Sequence, residues 1–298
     1  MPEKGNYLTL NYGKVPVDIV RDKDDNVRVL HNRCAHKGEN LVDKPCGKIP
    51  AFRCCYHGWR FRLDGKLLGV PHMAGYEGTD FDKDDPQYSM QKLRSESLRG
   101  FVFATMNDNA PDLRTWMGGA ADVMDNLCDR APEGEVEAAG GVLRYEHDCN
   151  WKMFIENLND TMHPMIVHRS VVESALDYIK TLPEDSPRRD EAEIIPPFGA
   201  SYEVFEETGI TGFPYGHHYD GGKSSIHADY TLDPEYEAAM VKAYGKDRMH
   251  EILSFNTHNT LYYPSLTIKS AVQNIRVVRP IAYNKTIIET WSFRLKGA

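Results

Sequence analysis

Two short segments of the chain each place a cysteine close to a histidine. The first reads Cys34-Ala-His36 and the second reads Cys54-Cys-Tyr-His57. Thiolates and neutral imidazoles both bind iron. Two loops that each supply one ligand of each type suit a cluster in which two thiolates hold one iron and two imidazoles hold the other. The spacing therefore predicts a [2Fe–2S] cluster ligated by these four side chains.

A structural zinc site is the alternative, because zinc also takes cysteine and histidine ligands. Zinc ribbons pair two cysteines in each knuckle, whereas each loop here mixes the types as C-x-H and C-x-x-H. Gly38 and Gly58 let the backbone approach a cluster, where amide N–H groups can bond its sulfurs. The pattern favours Rieske-type ligation, in which imidazole ligands raise the reduction potential above that of a four-cysteine cluster.

A second constellation lies in ENLNDTMHPMIVH, which contains Asn157, Asp160, His163 and His168. Non-haem iron(II) oxygenases hold iron with two histidines and a carboxylate and leave positions open for O₂ and substrate. Histidines five residues apart are about 500° apart on a straight helix and would not meet at one ion. Pro164 disfavours helical geometry at His163, which predicts a turn there. Asp160 precedes His163 by three residues and is predicted to contact its ring.

Histidines on a helical segment can also be ordinary packing residues, and the cluster motif upstream is what favours iron.

The elements around the first motif are predicted to be short antiparallel strands. For example, the β-branched runs 15–20 and 27–31 flank the turn sequence RDKDDN, which indicates a hairpin. The turn-rich stretch NDNAPD at 107–112 is the predicted domain boundary.

Beyond that boundary the pattern changes to a mixture of helices and strands. Residues 151–159 are predicted to be helical with Asn150 as N-cap, and Asp233-Pro234 is predicted to open a helix that runs to Leu253. Residues 260–295 are β-branched and aromatic, which indicates strands. We therefore predict an α+β chain with domains at 1–107 and 108–298.

The composition excludes several classes of protein. The 298 residues carry a net charge of −9, which argues against a nucleic-acid or anionic-membrane surface. No apolar run approaches the roughly 20 residues that a membrane span needs. The start of the chain lacks a signal core, and the six cysteines fit no small disulfide scaffold, so a reducing cytoplasm is expected. The chain has no flavin or nicotinamide fingerprint, which means that electrons come from a separate protein.

The order of the motifs resembles that of a known family. CAHKG, CCYHGW, SLRGFVFA, CNWKMFIENLNDTMHPMIVH and YYPSL through ETWSFRLKGA are similar, over nearly the whole chain, to the large (α) subunits of aromatic-ring-hydroxylating oxygenases. Cys55 stands where that family usually has proline. The resemblance implies an N-terminal antiparallel-β Rieske domain. It also implies an α+β helix-grip catalytic domain, in which an antiparallel sheet wraps a long helix.

The resemblance also implies cofactors and roles. A mononuclear Fe(II) would be bound by His163 and His168, with Asn157 near the iron. Asp160 would bridge one subunit's Rieske histidine to the next subunit's iron histidine, in a ring of three copies with or without a smaller β subunit. The chain would be the terminal oxygenase of a multicomponent system, fed by a separate ferredoxin, a reductase or both.

Its substrates would be O₂ and an aromatic compound, and cis-dihydroxylation is the expected reaction. Monooxygenation or O-demethylation is the alternative. A Rieske electron carrier without oxygenase chemistry would need only residues 1 to about 107, so the length of the remainder argues against it.

The sequence departs from the family at the third iron ligand, which there is an aspartate beyond the final strands. The only carboxylate after His258 is Glu289, inside the alternating stretch IIETWSFR, where a surface or cross-strand role is expected. We therefore expect a partial chain, short at its N-terminus, whose missing carboxylate lies beyond Ala298.

Four further polar residues lie outside these motifs. Residues 183–230 are rich in proline, glycine and polar groups and are expected to form a long loop. His217 and His218 fall in this stretch and are expected to be exposed or part of a lid over the pocket. Lys269 and Arg276 are expected to lie on a solvated strand face, although either could meet a substrate carboxylate.

Overall fold

Short β-branched runs build the first part of the chain. In the computed structural model, which describes residues 3–222, 224–226 and 232–298, the chain divides into two units, Met1–Leu113 and Arg114–Ala298. The strands of the first unit are β1 (Asn6–Tyr12), β2 (Val15–Arg21), β3 (Val27–His31), β4 (Cys46–Lys48), β5 (Phe52–Arg53), β6 (Arg60–Phe61), β7 (Leu67–Gly69), β8 (Lys92–Leu98) and β9 (Phe101–Thr105). They form an antiparallel sheet of order β4-β1-β2-β3-β8-β9 and a smaller one of order β5-β6-β7.

The predicted hairpin is present as β2 and β3. Val17 pairs with His31 in antiparallel register. At the turn, the carboxylate of Asp22 accepts the backbone N–H groups of Asp24 and Asn26, each at 2.9 Å. An aspartate that bonds the backbone two residues on is a strong turn former. The hairpin supplies one wall of the unit's core.

The second unit mixes helices with one large sheet. Its helices are α1 (Leu113–Met117), α2 (Ala121–Asp129), α3 (Trp151–Asn159), α4 (Pro164–Val167), α5 (Arg169–Thr181), α6 (Pro187–Ala192), α7 (Tyr202–Thr208), α8 (Pro234–Tyr244) and α9 (Lys246–Ser254). Its strands are β10 (Val136–His147), β11 (Ile210–Gly212), β12 (His218–Gly222), β13 (Asn256–Tyr262), β14 (Leu266–Lys269), β15 (Asn274–Ala282) and β16 (Lys285–Leu295). The strand order is β10-β16-β15-β14-β13-β12-β11, with every neighbouring pair antiparallel.

Helix α3 packs on one face of this sheet. Its N-cap is Asn150, whose side-chain oxygen accepts the backbone N–H of Lys152 at 3.1 Å, as predicted. Ile155 is buried against Leu261 and Val278 of the sheet, and burying such a side chain contributes about 1.5–3 kcal/mol. The α+β class and the antiparallel sheet are confirmed, and α3 is the helix that the sheet holds in place.

Two predictions about this unit are wrong. The helix expected from 234 to 253 is two helices, because Gly245 has a φ of 77° that an α-helix does not permit. The stretch 183–230 contains α6, α7, β11 and β12 where a loop was expected; its residues 223 and 227–230 lie outside the described part of the chain. Among the described residues, no helix has the length and apolar content needed to cross a bilayer.

Candidate metal centres

The two cysteine loops have the same local construction. The amide of Gly38 donates to the carbonyl of Cys34 at 2.9 Å, and the amide of Gly58 donates to the carbonyl of Cys54 at 3.1 Å. Both glycines are left-handed, with φ of 79° and 71°, a conformation that costs other residues about 1–2 kcal/mol. Each loop is therefore a tight turn that begins at its cysteine and encloses its histidine.

The four predicted ligands lie together. Cys34 and Cys54 are buried, with 2% and 3% of their surface exposed, and their sulfurs are within hydrogen-bonding reach of each other. The rings of His36 and His57 lie 4.6 Å apart at 76°. His36 is partly buried and His57 is exposed. The thiols therefore lie inside the unit, with the imidazoles nearer its surface.

The chemistry of this donor set fits an iron cluster. The pKa of the Cys34 thiol is raised to about 11, chiefly by burial and also by the nearby Cys54, although the amide N–H groups of His36 and Lys37 act to lower it. Two buried thiolates need a compensating cation, and amide donors aimed at the sulfur stabilise the ionised form. The buried Nδ1 of His36 has no hydrogen-bond partner among the described residues. This nitrogen is available to a metal.

Trp59 supports the second loop in a way that the sequence analysis missed. Its buried indole stacks on the ring of His36 at 4.9 Å and 4°, and its carbonyl accepts the amide of Cys54 at 2.8 Å. Trp59 therefore fixes a ligand of the first loop from the second. The signal available in the sequence was an aromatic residue directly after CCYHG.

The second motif folds as two helices joined by a turn, but the turn is not at Pro164. His163 has helical dihedrals, φ −72° and ψ −31°, so the prediction of a non-helical residue there is wrong. The chain turns at Asp160, with ψ 105°, and again at His168, with ψ 1°. Proline at the first position of a helix is well tolerated. The single-turn α4 thus spans the gap between the two histidines.

This geometry brings His163 and His168 together, with ring centroids 5.1 Å apart at 77°. Nδ2 of Asn157 lies 3.2 Å from Nε2 of His163. The carboxylate of Asp160 lies 3.4 Å from Nδ1 on the other side of the ring, without hydrogen-bond geometry. A proton on Nδ1, towards the carboxylate, and a lone pair on Nε2, towards the amide, is the tautomer that suits both neighbours. A metal bound at Nε2 would take that lone pair in place of the Asn157 amide.

Asp160 is ionised and anchored. One of its oxygens accepts the amides of Met162 at 2.8 Å and His163 at 3.2 Å, and these bonds, with that of Met162 the stronger, lower the pKa of its carboxyl. Its side chain remains 48% exposed. The carboxylate can therefore orient His163 and still reach a further partner.

The wall beside His168 comes from distant parts of the chain. The ring of Phe198 lies 5.5 Å from the ring of His168 and 5.5 Å from that of His258. Burial lowers the pKa of His168, and the nearby His163 and Lys269 lower it further. A neutral imidazole is the form that binds iron. Sequence analysis missed Phe198, which nothing local distinguishes from a core residue.

Two other candidates lie elsewhere. Glu289 is a cross-strand partner, as expected, with its two oxygens 2.7 Å from Arg144 and 2.6 Å from Arg279. His217 was expected to be exposed or part of a lid, but only 1% of its surface is exposed, and its Nδ1 accepts the amide of Tyr263 at 2.9 Å. Among the residues that the structure describes, no three His, Cys, Asp or Glu side chains surround one ion.

Comparison with known proteins gives two family matches. Residues 1–87 match the family described as Rieske [2Fe–2S] domain, and residues 135–298 match the one described as ring hydroxylating alpha subunit, catalytic domain. These matches confirm the resemblance found in the motif order. A Rieske cluster and a mononuclear iron are the cofactors of these domains, so both predicted cofactors are confirmed, whereas the individual ligands stay predictions.

Comparison with individual proteins gives the same family. The chain is 31% identical over 302 residues to the benzene 1,2-dioxygenase alpha subunit of Pseudomonas putida, covering 99% of this chain and 63% of the relative. It is 29% identical over 300 residues to the toluate 1,2-dioxygenase alpha subunit of Pseudomonas putida, covering 100% and 63%. A solved structure of naphthalene 1,2-dioxygenase with indole bound shares the fold, with a TM-score of 0.74, 24% identity and coverage of 99% and 64%.

Proposed function

Because this chain belongs to the family of ring-hydroxylating alpha subunits, we propose that it acts in the terminal oxygenase of a multicomponent system. The substrates are O₂ and an aromatic ring, and the reaction is cis-dihydroxylation. A separate ferredoxin, a reductase or both supply the electrons. Residues 1–107 form the Rieske domain and residues 108–298 the catalytic domain.

The observation that carries this proposal is the pairing of His163 with His168 at 5.1 Å. Asn157 and Asp160 lie on opposite sides of the His163 ring. An electron carrier has no use for a second histidine pair of this kind, whereas an oxygenase needs one.

The cofactors divide the chemistry between the two units. A cluster held by Cys34, His36, Cys54 and His57 would store one electron, and an iron(II) held by His163 and His168 would supply the site of O₂ reduction. The protein's own contribution at the second site is orientation. Asp160 is fixed by two backbone amides and faces Nδ1 of His163, so it holds that ring in one tautomer.

Assembly follows from the same carboxylate. We propose that Asp160 also contacts the partner subunit's His57, in a ring of three copies with or without a smaller β subunit. The support is that Asp160 is half exposed while being rigidly anchored. A cyclic assembly would bring each such carboxylate to the neighbouring copy in the same way.

The third, anionic iron ligand is proposed to come from outside residues 1–298. This chain spans about 63% of the length of the curated relatives it matches, and Glu289 is already held by two arginines. Iron(II) titration of this chain, and of the chain extended with a relative's following segment, tests the idea. Tighter binding by the extended protein is expected, and equal binding would contradict it.

The test of function is a single turnover. The chain extended with a relative's following segment, loaded with iron and sulfide and chemically reduced, is given benzene or benzoate in separate reactions with ¹⁸O₂; the expected product is a cis-dihydrodiol with both oxygens labelled. His163→Ala is the control, and we expect it to keep the visible absorption of the cluster while losing the product. Incorporation of one labelled atom would indicate monooxygenation, and no product from fully metallated protein would refute the proposal.

A further inference from the structure

Two cations lie side by side on the face of the large sheet that α3 covers. Arg276 of β15 pairs with Thr267 of β14, and Lys269 is two residues beyond Thr267. Side chains alternate along a strand, so Lys269 and Arg276 are diagonal neighbours on one face. By the same register, Val278, which packs against α3, is on that face too. The expectation of a solvated strand face is therefore wrong.

On the opposite face of the same strands, the arginines have a carboxylate partner. There, Glu289 forms ion pairs with both Arg144 and Arg279. On the α3 side, none of the described carboxylates lies within ion-pair distance of Lys269 or Arg276. One face of the sheet pairs its two arginines with a carboxylate, and the other carries two adjacent positive charges that form no ion pair with the described residues.

Asp220 is the acid that acts on Lys269 from a distance. Its carboxylate accepts the backbone amide of Asn259 in a buried hydrogen bond, and burial raises its pKa to about 7. It is therefore only partly ionised at neutral pH. This single carboxylate leaves Lys269 and Arg276 together with a net positive charge.

The side chains of Lys269 and Arg276 are partly shielded from water. Both side chains are half-buried. Burial, with a smaller contribution from Arg276, lowers the pKa of Lys269 to about 8, and burial also lowers the pKa of Arg276. Like charges held together away from bulk water are unfavourable unless an anion joins them. Both side chains are therefore largely surrounded by protein and still reachable by a solute from solvent.

Lys269 lies beside the candidate iron site. The ammonium of Lys269 lies 4.5 Å from the centre of the Phe198 ring, and that ring lies 5.5 Å from the ring of His168. Lys269 is also close enough to influence the pKa of His168. One aromatic ring therefore separates the cationic pair from a predicted iron ligand.

We infer that Lys269 and Arg276 bind the carboxylate of the substrate, which makes the substrate class aromatic acids rather than uncharged hydrocarbons. The inference rests on the proposed function, since that function places the reacting ring beside His168. A guanidinium offers a planar fork that matches a carboxylate, and the ammonium adds a second charge-assisted hydrogen bond. Phe198 would pack against the ring of the bound acid.

The probes are benzoate and its uncharged isostere benzamide, titrated into the cluster-loaded chain without O₂ and followed by calorimetry. We expect benzoate to bind at least about tenfold more tightly. Lys269→Met and Arg276→Gln should each weaken benzoate binding about tenfold or more, the loss expected for one charge-assisted hydrogen bond, and change benzamide binding little. Lys269→Arg keeps the charge and should keep the preference. Arg144→Gln, on the opposite face of the sheet, should change neither the affinity for benzoate nor that for benzamide.

Equal binding of benzoate and benzamide by the unaltered chain would overturn the inference, and this measurement needs no variant to fold. A preference that survives Lys269→Met and Arg276→Gln would overturn it as well. Product assays separate it from the proposed function. If benzene is dihydroxylated but benzoate has no advantage, only the inference fails; if benzoate is preferred in binding but no substrate is oxygenated, only the proposed function fails.

Discussion

The two candidate metal centres are built in opposite ways. The four residues of the first lie within 24 positions of sequence, from Cys34 to His57, on two turns of equal design. The second takes its histidines from one segment, but its walls come from Phe198, His258 and Lys269. The first site is local in sequence, and the second is assembled from distant parts of the chain.

The difference matches what the proposed function requires of each centre. A site that only passes electrons benefits from rigid ligands and needs no room for a substrate. A site that admits O₂ and an organic molecule needs vacant positions and a cavity wall that can select. Changes in the first centre should therefore act on its potential, and changes in the second on turnover and selectivity.

The largest expected effect is on the cluster's potential. His57→Cys replaces a neutral ligand with a thiolate, so the cluster should persist while its reduction potential falls by on the order of 100 mV or more. Spectroelectrochemical titration measures this. Cys55→Ser alters an exposed neighbour outside the ligand pattern and should leave the potential unchanged. A colourless unaltered protein with stoichiometric zinc would mean that the loops hold no cluster.

Asp160→Asn should lower turnover about 10–100-fold with both metal sites still occupied, the usual cost of losing a partner that orients a metal ligand. An amide has one acceptor and one donor group, and its N–H₂ would face the N–H of His163. Metal analysis and product formation are measured together. Asp177→Asn, an exposed carboxylate on α5, is the control. Near-normal turnover would remove Asp160 from the mechanism.

The features that could be predicted from the sequence are the ones that depend on residues close together in the chain. The grouping of the four predicted cluster ligands, the β2–β3 hairpin and the Asn150 cap depend on neighbours in sequence, so pattern and spacing were sufficient to predict them. The ligand roles themselves stay predictions. The burial of His217 and the enclosure of Lys269 and Arg276 depend on which strands meet. Register over a seven-stranded sheet involves pairings that local sequence does not encode.

The next effect tests the turn design of the first centre. Gly58→Ala should destabilise the unit by about 1–2 kcal/mol, because φ is 71° and an added Cβ would lie 3.0 Å from Pro71. Cluster content and urea unfolding are the measurements. Gly13 is also left-handed, with φ of 60° and no atom within 4 Å of an added Cβ. Gly13→Ala should therefore lose some stability and no cluster. Equal cluster loss in both would show that loop geometry is not what holds the iron.

The smallest effect is expected at Glu289, on the face of the sheet opposite Lys269 and Arg276. Glu289→Gln should cost about 1 kcal/mol of unfolding free energy near neutral pH, since Arg144 and Arg279 are partly exposed and such pairs are weak. Burial by itself would raise the pKa of Glu289, but hydrogen bonds from both arginines outweigh it and hold the pKa below its usual 4.5.

A carboxylate with a lowered pKa stabilises the fold above the unfolded-state value, and that stabilisation is lost as pH falls through the folded-state value. The gap between the unaltered chain and Glu289→Gln should therefore be constant from pH 7 to about pH 5 and close below about 4.5. Urea unfolding at pH 7, 5 and 3.5 measures it. Iron(II) affinity should not change, because Glu289 points away from the face that carries Lys269 and α3. Weaker iron binding by Glu289→Gln would make this residue the missing carboxylate ligand. The iron site would then draw a ligand from the face of the sheet opposite Lys269 and α3.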